Sequence, residues 1–184
     1  MTSTTNILLP ALLVYLSHHD NHWKILKTRT VKKGEILQHK GELNSKIFFI
    51  KKGLLRSYSI DEKGKEHIFT FAPEGWSMGD AIGPEEPTEL FIDAIEDSEV
   101  VELPKDLDRD ASKPNNFKMM VRRMLVLQRR IIMMMSESAI DRYTHFEKTY
   151  PNLMQRVPQR MIAAYLGITP EALSKIRGER ARNK

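Results

Sequence analysis

The sequence feature that most constrains the fold of this chain is a 20-residue window, QRMIAAYLGITPEALSKIRG, which begins at Gln159. Within it, Ala163 is small enough for two helices to cross closely, and Gly167, four residues later, suits a turn that needs a positive φ. The window therefore predicts a helix-turn-helix over residues 159–177. Apolar side chains stand where such a unit faces its own interior, and these are Ile162, Leu166, Ile168, Leu173 and Ile176.

Three adjacent residues specify the start of the second helix. Thr169 is a good N-cap, Pro170 fits the first helical turn, and Glu171 complements the positive end of the helix. The second helix is thus predicted to begin at Pro170. An ordinary pair of packed helices is the alternative, but the agreement of several local signals favours the helix-turn-helix.

The outward side of this second helix carries residue types that can read base edges in the major groove of DNA. Lysine can donate to guanine, glutamate can accept from cytosine, and the alanine methyl group can contact thymine. Basic side chains on this helix and on the preceding one can bind phosphates. The predicted DNA-binding residues are Arg160, Thr169, Glu171, Ala172, Ser174, Lys175, Arg177 and Arg180.

Charge is unevenly distributed along the chain, whose formal net charge is +5. Residues 1–110 hold 14 basic and 19 acidic side chains, whereas residues 111–184 hold 15 basic and 5 acidic ones. This division favours a polyanionic partner, double-stranded DNA, for the C-terminal part. A basic surface that is merely solvated remains an alternative, since charge alone does not distinguish the two.

The composition excludes several kinds of site and predicts a cytoplasmic protein. Because the chain has no cysteine, it has no disulfide, thiolate nucleophile or cysteine-ligated metal centre. No apolar run approaches the roughly 18–20 residues that span a bilayer, and residues 7–16 lack the features of a signal peptide, so no membrane contact is expected. No nucleophile–base pair, phosphate-binding loop or pair of carboxylates indicates an enzyme, and no cofactor is predicted.

Residues 29–103 have the pattern of a small all-β domain. Turn-forming residues separate short β-prone runs at residues 46–50, 54–60, 67–71, 91–95 and 99–103. Closely spaced strands of this kind indicate a sandwich or a barrel. Upstream, residues 8–26 are predicted to form one or two helices. His18 and His22 there have the spacing of helical zinc ligands, although an exposed helix end is favoured.

Residues 114–138 are predicted to form one long helix with an apolar seam. Pro114 suits a first helical turn, and apolar residues then alternate at spacings of three and four. The seam comprises Phe117, Met120, Met124, Leu127, Ile131 and Met134. We expect it to form the interface of a homodimer, and packing on its own domain is the alternative.

These patterns divide the chain into three parts. Residues 1–113 form a β domain with an N-terminal helix, residues 114–138 form the dimerisation helix, and residues 139–184 form the helix-turn-helix domain.

A charged residue, Arg56, lies on a predicted strand on the same face as Leu54 and Tyr58. If that face points inward, the guanidinium needs a partner, either a protein carboxylate such as Glu66 or an acidic ligand. An arginine on a strand edge or an internal salt bridge is favoured over a ligand site. Arg56 and Glu66 are nevertheless retained as a candidate effector-binding site.

The chain as a whole resembles the Crp–Fnr superfamily, named after the cyclic-AMP receptor protein and the fumarate–nitrate regulator. Residues 31–67, VKKGEILQHKGELNSKIFFIKKGLLRSYSIDEKGKEH, resemble part of its cyclic-nucleotide-binding β-roll. Residues 117–138 resemble its dimerising helix, and ITPEALSKIR, at residues 168–177, resembles its recognition helix. The resemblance implies an α+β protein with a β-roll, a long dimerisation helix and a winged-helix-like helix-turn-helix domain.

The resemblance carries expectations for individual residues of the recognition helix. Glu171 and Lys175 fall where family members place base-contacting acidic and basic residues. Pro170 stands where the best-studied members carry an arginine, so a different target sequence is expected. The sequence ends soon after this helix, and the C-terminal wing of many relatives is therefore expected to be missing.

The effector cassette departs further from the family pattern. In nucleotide-binding members, the cassette follows a Gly-Glu pair and supplies an Arg-Ser pair that binds the cyclic phosphate. Here Gly79 and Asp80 correspond to the first pair, but Thr88 and Glu89 stand in place of the second. Acidic residues oppose an anionic ligand, so cyclic AMP is not expected to bind in the usual way.

The residues and the resemblance together predict a sequence-specific DNA-binding transcription regulator that acts as a homodimer. RNA polymerase and an unidentified small-molecule effector are further candidate partners. The alternative function is a ligand-sensing or adaptor module of the same fold that acts through protein contacts.

Overall fold

The structure is a computed structural model, which describes residues 28–80, 83, 85–104 and 114–182. For residues 104, 114–120, 122 and 123 it describes the backbone only. The helices predicted at residues 8–26, with the His18 and His22 pair, lie outside the described residues.

Eight strands make up the N-terminal part of the described chain. They form two four-stranded sheets with the orders β1-β8-β3-β6 and β2-β7-β4-β5, in which every pairing is antiparallel. All five predicted strands are confirmed, and three short strands (β1, β2 and β6) add to them. The strands are β1 (Thr28–Val31), β2 (Ile36–Gln38), β3 (Lys46–Lys52), β4 (Leu54–Ile60), β5 (Glu66–Pro73), β6 (Ser77–Met78), β7 (Phe91–Ala94) and β8 (Ser98–Pro104).

The two sheets pack face to face around a small apolar core. This core contains Phe48, Ile50, Leu55, Ile92 and Val100, all of them almost completely buried. Alternation along the strands sends neighbouring side chains to the opposite face. The sheets therefore form the predicted β-roll, and one face of the β2-β7-β4-β5 sheet is left to pack on another part of the chain.

Four helices follow the β-roll. The helix-turn-helix predicted from the sequence is confirmed in α3 and α4, and α1 starts at the predicted Pro114. None of the helices within the described residues combines the length and the apolar character needed to cross a membrane. The elements are α1 (Pro114–Ser136), α2 (Ala139–Thr149), a 3-10 turn (Pro151–Leu153), α3 (Gln159–Leu166) and α4 (Pro170–Arg182).

A second apolar core joins the β-roll to the three helices α2, α3 and α4, and we call it the domain junction. Phe71 of β5 is fully buried there. Its ring centroid lies 5.5 Å from that of Tyr165 and 6.1 Å from that of Phe146. Leu54, Tyr58 and Ile68 of the same sheet belong to this core. The outer face of the sheet is therefore covered by the chain's own helical domain.

Candidate nucleic-acid interface

The turn between α3 and α4 has the geometry that its sequence predicts. Gly167 adopts a left-handed conformation with φ 67° and ψ 31°, and its N–H donates to the carbonyl groups of Ala163 and Ala164 at the end of α3. A Cβ at Gly167 would also come within 2.7 Å of the Cε atom of Met134 on α1. The left-handed backbone conformation favours glycine at this position, whereas the flexible end of Met134 could move aside for a Cβ.

The start of α4 is capped as predicted. The Thr169 hydroxyl oxygen accepts a hydrogen bond from the Ala172 N–H at 3.2 Å, and the helix begins at Pro170. Hydrogen bonds from its own backbone N–H and from Thr169 hold the pKa of Glu171 below its ordinary value, so a negative charge is retained at the positive end of the helix. The register of α4 is thereby fixed at its first turn.

The two sides of α4 differ in burial. Leu173 and Ile176 are buried in the domain junction, whereas Glu171, Ser174 and Lys175 are exposed. Ala172 and Arg177 are half-buried at the margins, and Arg160 of α3 and Thr169 are exposed. Among the residues that the structure describes, Arg160, Ser174 and Lys175 have no hydrogen bond or ion pair.

Arg180, the last predicted DNA-binding residue, is engaged within the domain. Its Nη1 donates to a Glu147 carboxylate oxygen at 2.5 Å and to the Thr144 hydroxyl at 3.1 Å. Its guanidinium also lies 5.6 Å from the ring centroid of Tyr143. Arg180 therefore ties the C-terminal half of α4 to α2, in contrast to Lys175, which has no partner in the part of the chain that the structure describes.

The long helix α1 also has two different faces. Of the predicted seam, Met124 and Ile131 are exposed, whereas Leu127 and Met134 are half-buried, and the side chains of Phe117 and Met120 lie outside the described part. Met133, on the same helix, is buried. The exposed apolar face is rotated relative to the predicted seam and comprises Val121, Met124, Leu125, Ile131, Ile132 and Met135.

Arg56, a candidate effector residue, is buried and fully engaged by carboxylates. Its Nε and Nη2 donate to both oxygens of Asp93 at 2.8 and 2.9 Å, and its Nη1 donates to Glu66 at 2.5 Å. Burial alone would lower the pKa of Arg56, but hydrogen bonds to Asp93 and Glu66 outweigh this and hold the pKa above its ordinary value. Of the two arrangements that the sequence favours, the internal salt bridge is the one present, with Glu66 and with Asp93 as an additional partner.

The segment that corresponds to the phosphate-binding cassette is also internally bonded. The buried Thr88 donates from its hydroxyl to the His39 carbonyl at 2.6 Å, and its backbone N–H donates to the Glu42 carbonyl at 2.9 Å. The next two amides, of Glu89 and Leu90, donate to one carboxylate oxygen of Asp80 at 2.8 and 3.1 Å. An incoming anion would have to displace Asp80 to reach these amides.

Comparison with known proteins places the chain in a family. The family model of the cyclic nucleotide-binding domain matches residues 28–110. The fumarate and nitrate reduction regulatory protein of Escherichia coli (strain K12) is 30% identical over 176 residues, which cover 84% of this chain and 68% of that relative. The chain belongs to the Crp–Fnr superfamily of transcription regulators. A further relative, the anaerobic regulatory protein of Haemophilus influenzae, is 27% identical over 178 residues, which cover 84% of this chain and 66% of the relative.

Solved structures agree with the Crp–Fnr fold. FixK2 from Bradyrhizobium japonicum superposes with a TM-score of 0.74 at 19% identity, and the match covers 86% of this chain and 85% of FixK2. A transcriptional regulator of the same family from Thermus thermophilus gives a TM-score of 0.66 at 19% identity, covering 85% and 87% of the two chains. The predicted fold class is therefore confirmed.

Two arginines of this Crp–Fnr protein position the helix-turn-helix, although the sequence patterns do not single them out. Arg142 of α2 donates to the Leu166 carbonyl at 3.0 Å and to the Glu137 carbonyl at 3.1 Å. Arg130 of α1 donates to the carbonyl groups of Ile68 and Tyr165. Since most of these partners are far away in sequence, periodicity and local motifs carry no signal for the contacts.

Proposed function

We propose that this Crp–Fnr protein is a homodimeric transcription regulator that binds specific DNA sequences through α4. One observation carries the proposal. The apolar side of α4 is buried inside the domain, while Ser174 and Lys175 on the other side are exposed and unpaired among the described residues. The names of the regulatory relatives, which are similar over most of this chain, support the same function.

Individual roles follow from the chemistry of each side chain. We propose that Lys175 donates to guanine, that Glu171 accepts from cytosine and that Ala172 contacts a thymine methyl group. Arg160 and Arg177 would bind phosphates on either side of the groove. Thr169 and Arg180 already have intramolecular partners, so their proposed contribution is to hold α4 in register for these contacts.

The proposed homodimer uses the exposed apolar face of α1. Met124, Ile131 and Met135 follow one another at spacings of seven and four residues, with Ile132 beside them. Apolar side chains in such a row gain free energy when they leave water against a second copy of the helix. Two-fold symmetry would then set the two α4 helices about 34 Å apart, in successive major grooves. Contact of the DNA-bound dimer with RNA polymerase stays a prediction.

The test of this function is selection of bound DNA from a random or genomic library with the full chain. We expect a palindrome whose half-sites are about ten base pairs apart, the separation that matches one turn of DNA. The variant Lys175→Ala should lose the base preference at one position of each half-site, whereas Lys148→Ala, an exposed lysine on α2, should keep it. Recovery of no common sequence would reject the proposal.

We further propose that cyclic AMP does not control this protein through the β-roll. The amides of Glu89 and Leu90 are occupied by Asp80, and Glu89 itself adds negative charge where a cyclic phosphate would lie. Titration calorimetry of the full chain should detect no binding of cyclic AMP at micromolar concentrations. Micromolar binding that is lost on substitution of residues 85–89 would contradict this proposal. Binding of a different effector at Arg56 and Glu66 remains a prediction.

A further inference from the structure

Arg156 connects the helix-turn-helix domain to the β-roll through one guanidinium group. It lies between the 3-10 turn and α3, and its side chain reaches back to the β-roll. Nη2 donates to Glu74 at 2.8 Å, to Glu96 at 2.5 Å and to the Gly53 carbonyl at 3.1 Å. Nη1 adds a bond of 3.0 Å to the second oxygen of Glu74, and Nε adds one of 3.3 Å to Glu96. We call Arg156 with these three partners the Arg156 cluster.

The three partners come from three different turns at one end of the β-roll. Gly53 lies between β3 and β4, Glu74 follows β5, and Glu96 lies between β7 and β8. One guanidinium therefore bonds to turns of both sheets. Because its donors are held in a planar fork, arginine can make these bonds together only in a narrow range of orientations, which a lysine could not specify.

The turns that receive Arg156 are bonded to one another. The Gly53 N–H donates to Glu74 at 3.1 Å. The Ser98 hydroxyl accepts from the Leu54 N–H at 3.2 Å and donates to the Glu96 carbonyl at 2.7 Å. A Cβ at Gly53, where φ is +98°, would lie only 2.1 Å from the Ser98 oxygen. The receiving site is thus a close-packed group of turns with little freedom to adjust.

Strand β5 and the residue that follows it carry three successive attachments to the helical part of the chain. The Ile68 carbonyl accepts a hydrogen bond from Arg130 at 3.1 Å. Three residues later, Phe71 packs among Phe146 and Tyr165, and three residues after that, Glu74 binds Arg156. At about 3.3 Å per residue, the outer attachments lie roughly 20 Å apart.

The central attachment is apolar and the outer ones are directional. Apolar contact favours burial but not one rotation about Phe71, whereas hydrogen bonds at both ends of the strand oppose rotation in either direction. The Arg156 side chain is about one quarter exposed, so its contribution to stability is modest. Its main effect is therefore on the angle between the helix-turn-helix and the β-roll.

We propose that Arg156 is a positioning residue that sets the half-site spacing accepted by the DNA-bound dimer. The inference rests on the proposed function, since it requires two copies on one DNA. In a two-fold dimer, a small rotation of each helix-turn-helix changes both the distance and the angle between the two α4 helices. A helix-turn-helix that is held at one angle fits one half-site spacing, whereas one that can rotate fits several spacings.

The experiment uses the chain of residues 1–184 and palindromic DNAs built from the selected half-site, with one or two base pairs added to or removed from the centre. Each added base pair rotates one half-site by about 35° relative to the other. Fluorescence anisotropy gives the dissociation constant for each spacing. The wild type should prefer its own spacing by on the order of tenfold or more. The variant Arg156→Gln, which keeps one donor for Gly53 but loses both ion pairs, should reduce this preference about threefold or more.

Three controls separate positioning from folding. Affinity for a single half-site should be unchanged by Arg156→Gln, since Arg156 is bonded to the β-roll and is not among the proposed DNA contacts. Lys148→Gln, which removes an exposed charge from the same domain, should keep the wild-type spacing preference. Glu96→Gln leaves the bonds between Arg156 and Glu74 in place, and it should give a smaller change in the same direction even if Arg156→Gln folds poorly.

Each outcome decides one point. An unchanged spacing preference in folded Arg156→Gln and Glu96→Gln would overturn the inference, and so would an equal loss of affinity at every spacing. Absence of wild-type binding to any palindrome would instead reject the proposed function, and this inference with it.

Discussion

The faces of the helical region that turn toward the β-roll differ from those that turn away. The groups on the inward faces have partners within the chain. Phe71 is buried in the domain junction, and Arg130 and Arg156 bind backbone or carboxylate groups of the β-roll. The outward faces carry side chains that are exposed to solvent. On α1 the outward face is apolar, as at Ile131, and on α4 it is polar and includes Lys175, which is unpaired within the described residues.

This difference separates the residues that hold an orientation from the residues that are available to partners. An exposed apolar row suits a second copy of the same helix, and an exposed polar side of a basic helix suits DNA. The inward faces then fix how the two outward faces are presented together. Substitutions on the inward faces should alter the free energy of unfolding or the orientation of the helix-turn-helix. Substitutions on the outward faces should alter dimerisation or DNA binding, with little change in the free energy of unfolding.

The largest effect is expected on the inward side, at Phe71. Phe71→Ala should lower the free energy of unfolding by about 3–5 kcal/mol, because it removes a fully buried ring from the domain junction. Chemical denaturation followed by circular dichroism measures this change. The control is Phe69→Ala on the same strand, whose side chain is 40% exposed and whose loss should cost about 1 kcal/mol or less. A loss below about 1 kcal/mol for Phe71→Ala as well would show that the sheet face is not covered by the helical domain.

The next effect is on the apolar outward face. Ile131→Glu should raise the dissociation constant of the homodimer about 100-fold, since one apolar side chain is lost from each copy, at roughly 1.5 kcal/mol or more per copy. Sedimentation equilibrium measures the constant, and Arg129→Gln, which leaves the apolar row intact, is the control. A wild type that is monomeric at micromolar concentrations would contradict the outward role of this face.

A smaller effect is expected on the polar outward face. Lys175→Ala should weaken binding to the selected operator by about 1–3 kcal/mol, because it removes a base contact. Its free energy of unfolding should change by less than about 0.5 kcal/mol, as for other surface positions. Anisotropy and denaturation measure the two quantities, with Lys148→Ala as the control for simple loss of charge. Equal weakening by both variants would mean that Lys175 does not read a base.

The smallest effect is the pH dependence of the Arg156 cluster. Burial alone would raise the pKa of Glu74, but the hydrogen bonds from Arg156, together with those from the backbone N–H groups of Glu74 and Gly53, outweigh it and hold the pKa below its ordinary value. The stabilisation is therefore present above the ordinary glutamate pKa of about 4.3 and is lost as the pH falls through the lowered pKa. The wild type should exceed Glu74→Gln in free energy of unfolding by less than about 1 kcal/mol at pH 6–8, since both side chains are partly exposed. A difference that grew on acidification would contradict this assignment.

Much of the helix-turn-helix can be predicted from the sequence because its signals are local. Thr169, Pro170 and Gly167 act on their immediate neighbours, so the helix start, the turn and the register of α4 follow from local rules. The buried set and the exposed Ser174 and Lys175 then follow from helical periodicity. The five longer strands are also predicted from local signals, namely β-prone runs bounded by turn-forming residues. The two-residue β6 is too short to give such a signal.

Contacts between distant segments are the part that the sequence does not reveal. The partners of Arg156 lie 60, 82 and 103 residues away, and Asp93, which binds Arg56, lies 37 residues away. The seam of α1 is another case. Spacing identifies an apolar row, but it does not show that Met134 lies beside Gly167 while Ile131 stays exposed. Which face of a helix is free depends on the packing of the rest of the chain.

The most direct test of DNA reading by α4 is the salt dependence of operator binding by the chain of residues 1–184. Log K plotted against log salt concentration should fall steeply, with a slope of about −0.9 for each phosphate neutralised. Arg177→Ala should make that slope shallower by about one unit, and Lys175→Ala should weaken binding to the selected sequence more than to random DNA. A slope near zero would contradict DNA reading by α4, and would favour a module of this fold that acts through protein contacts.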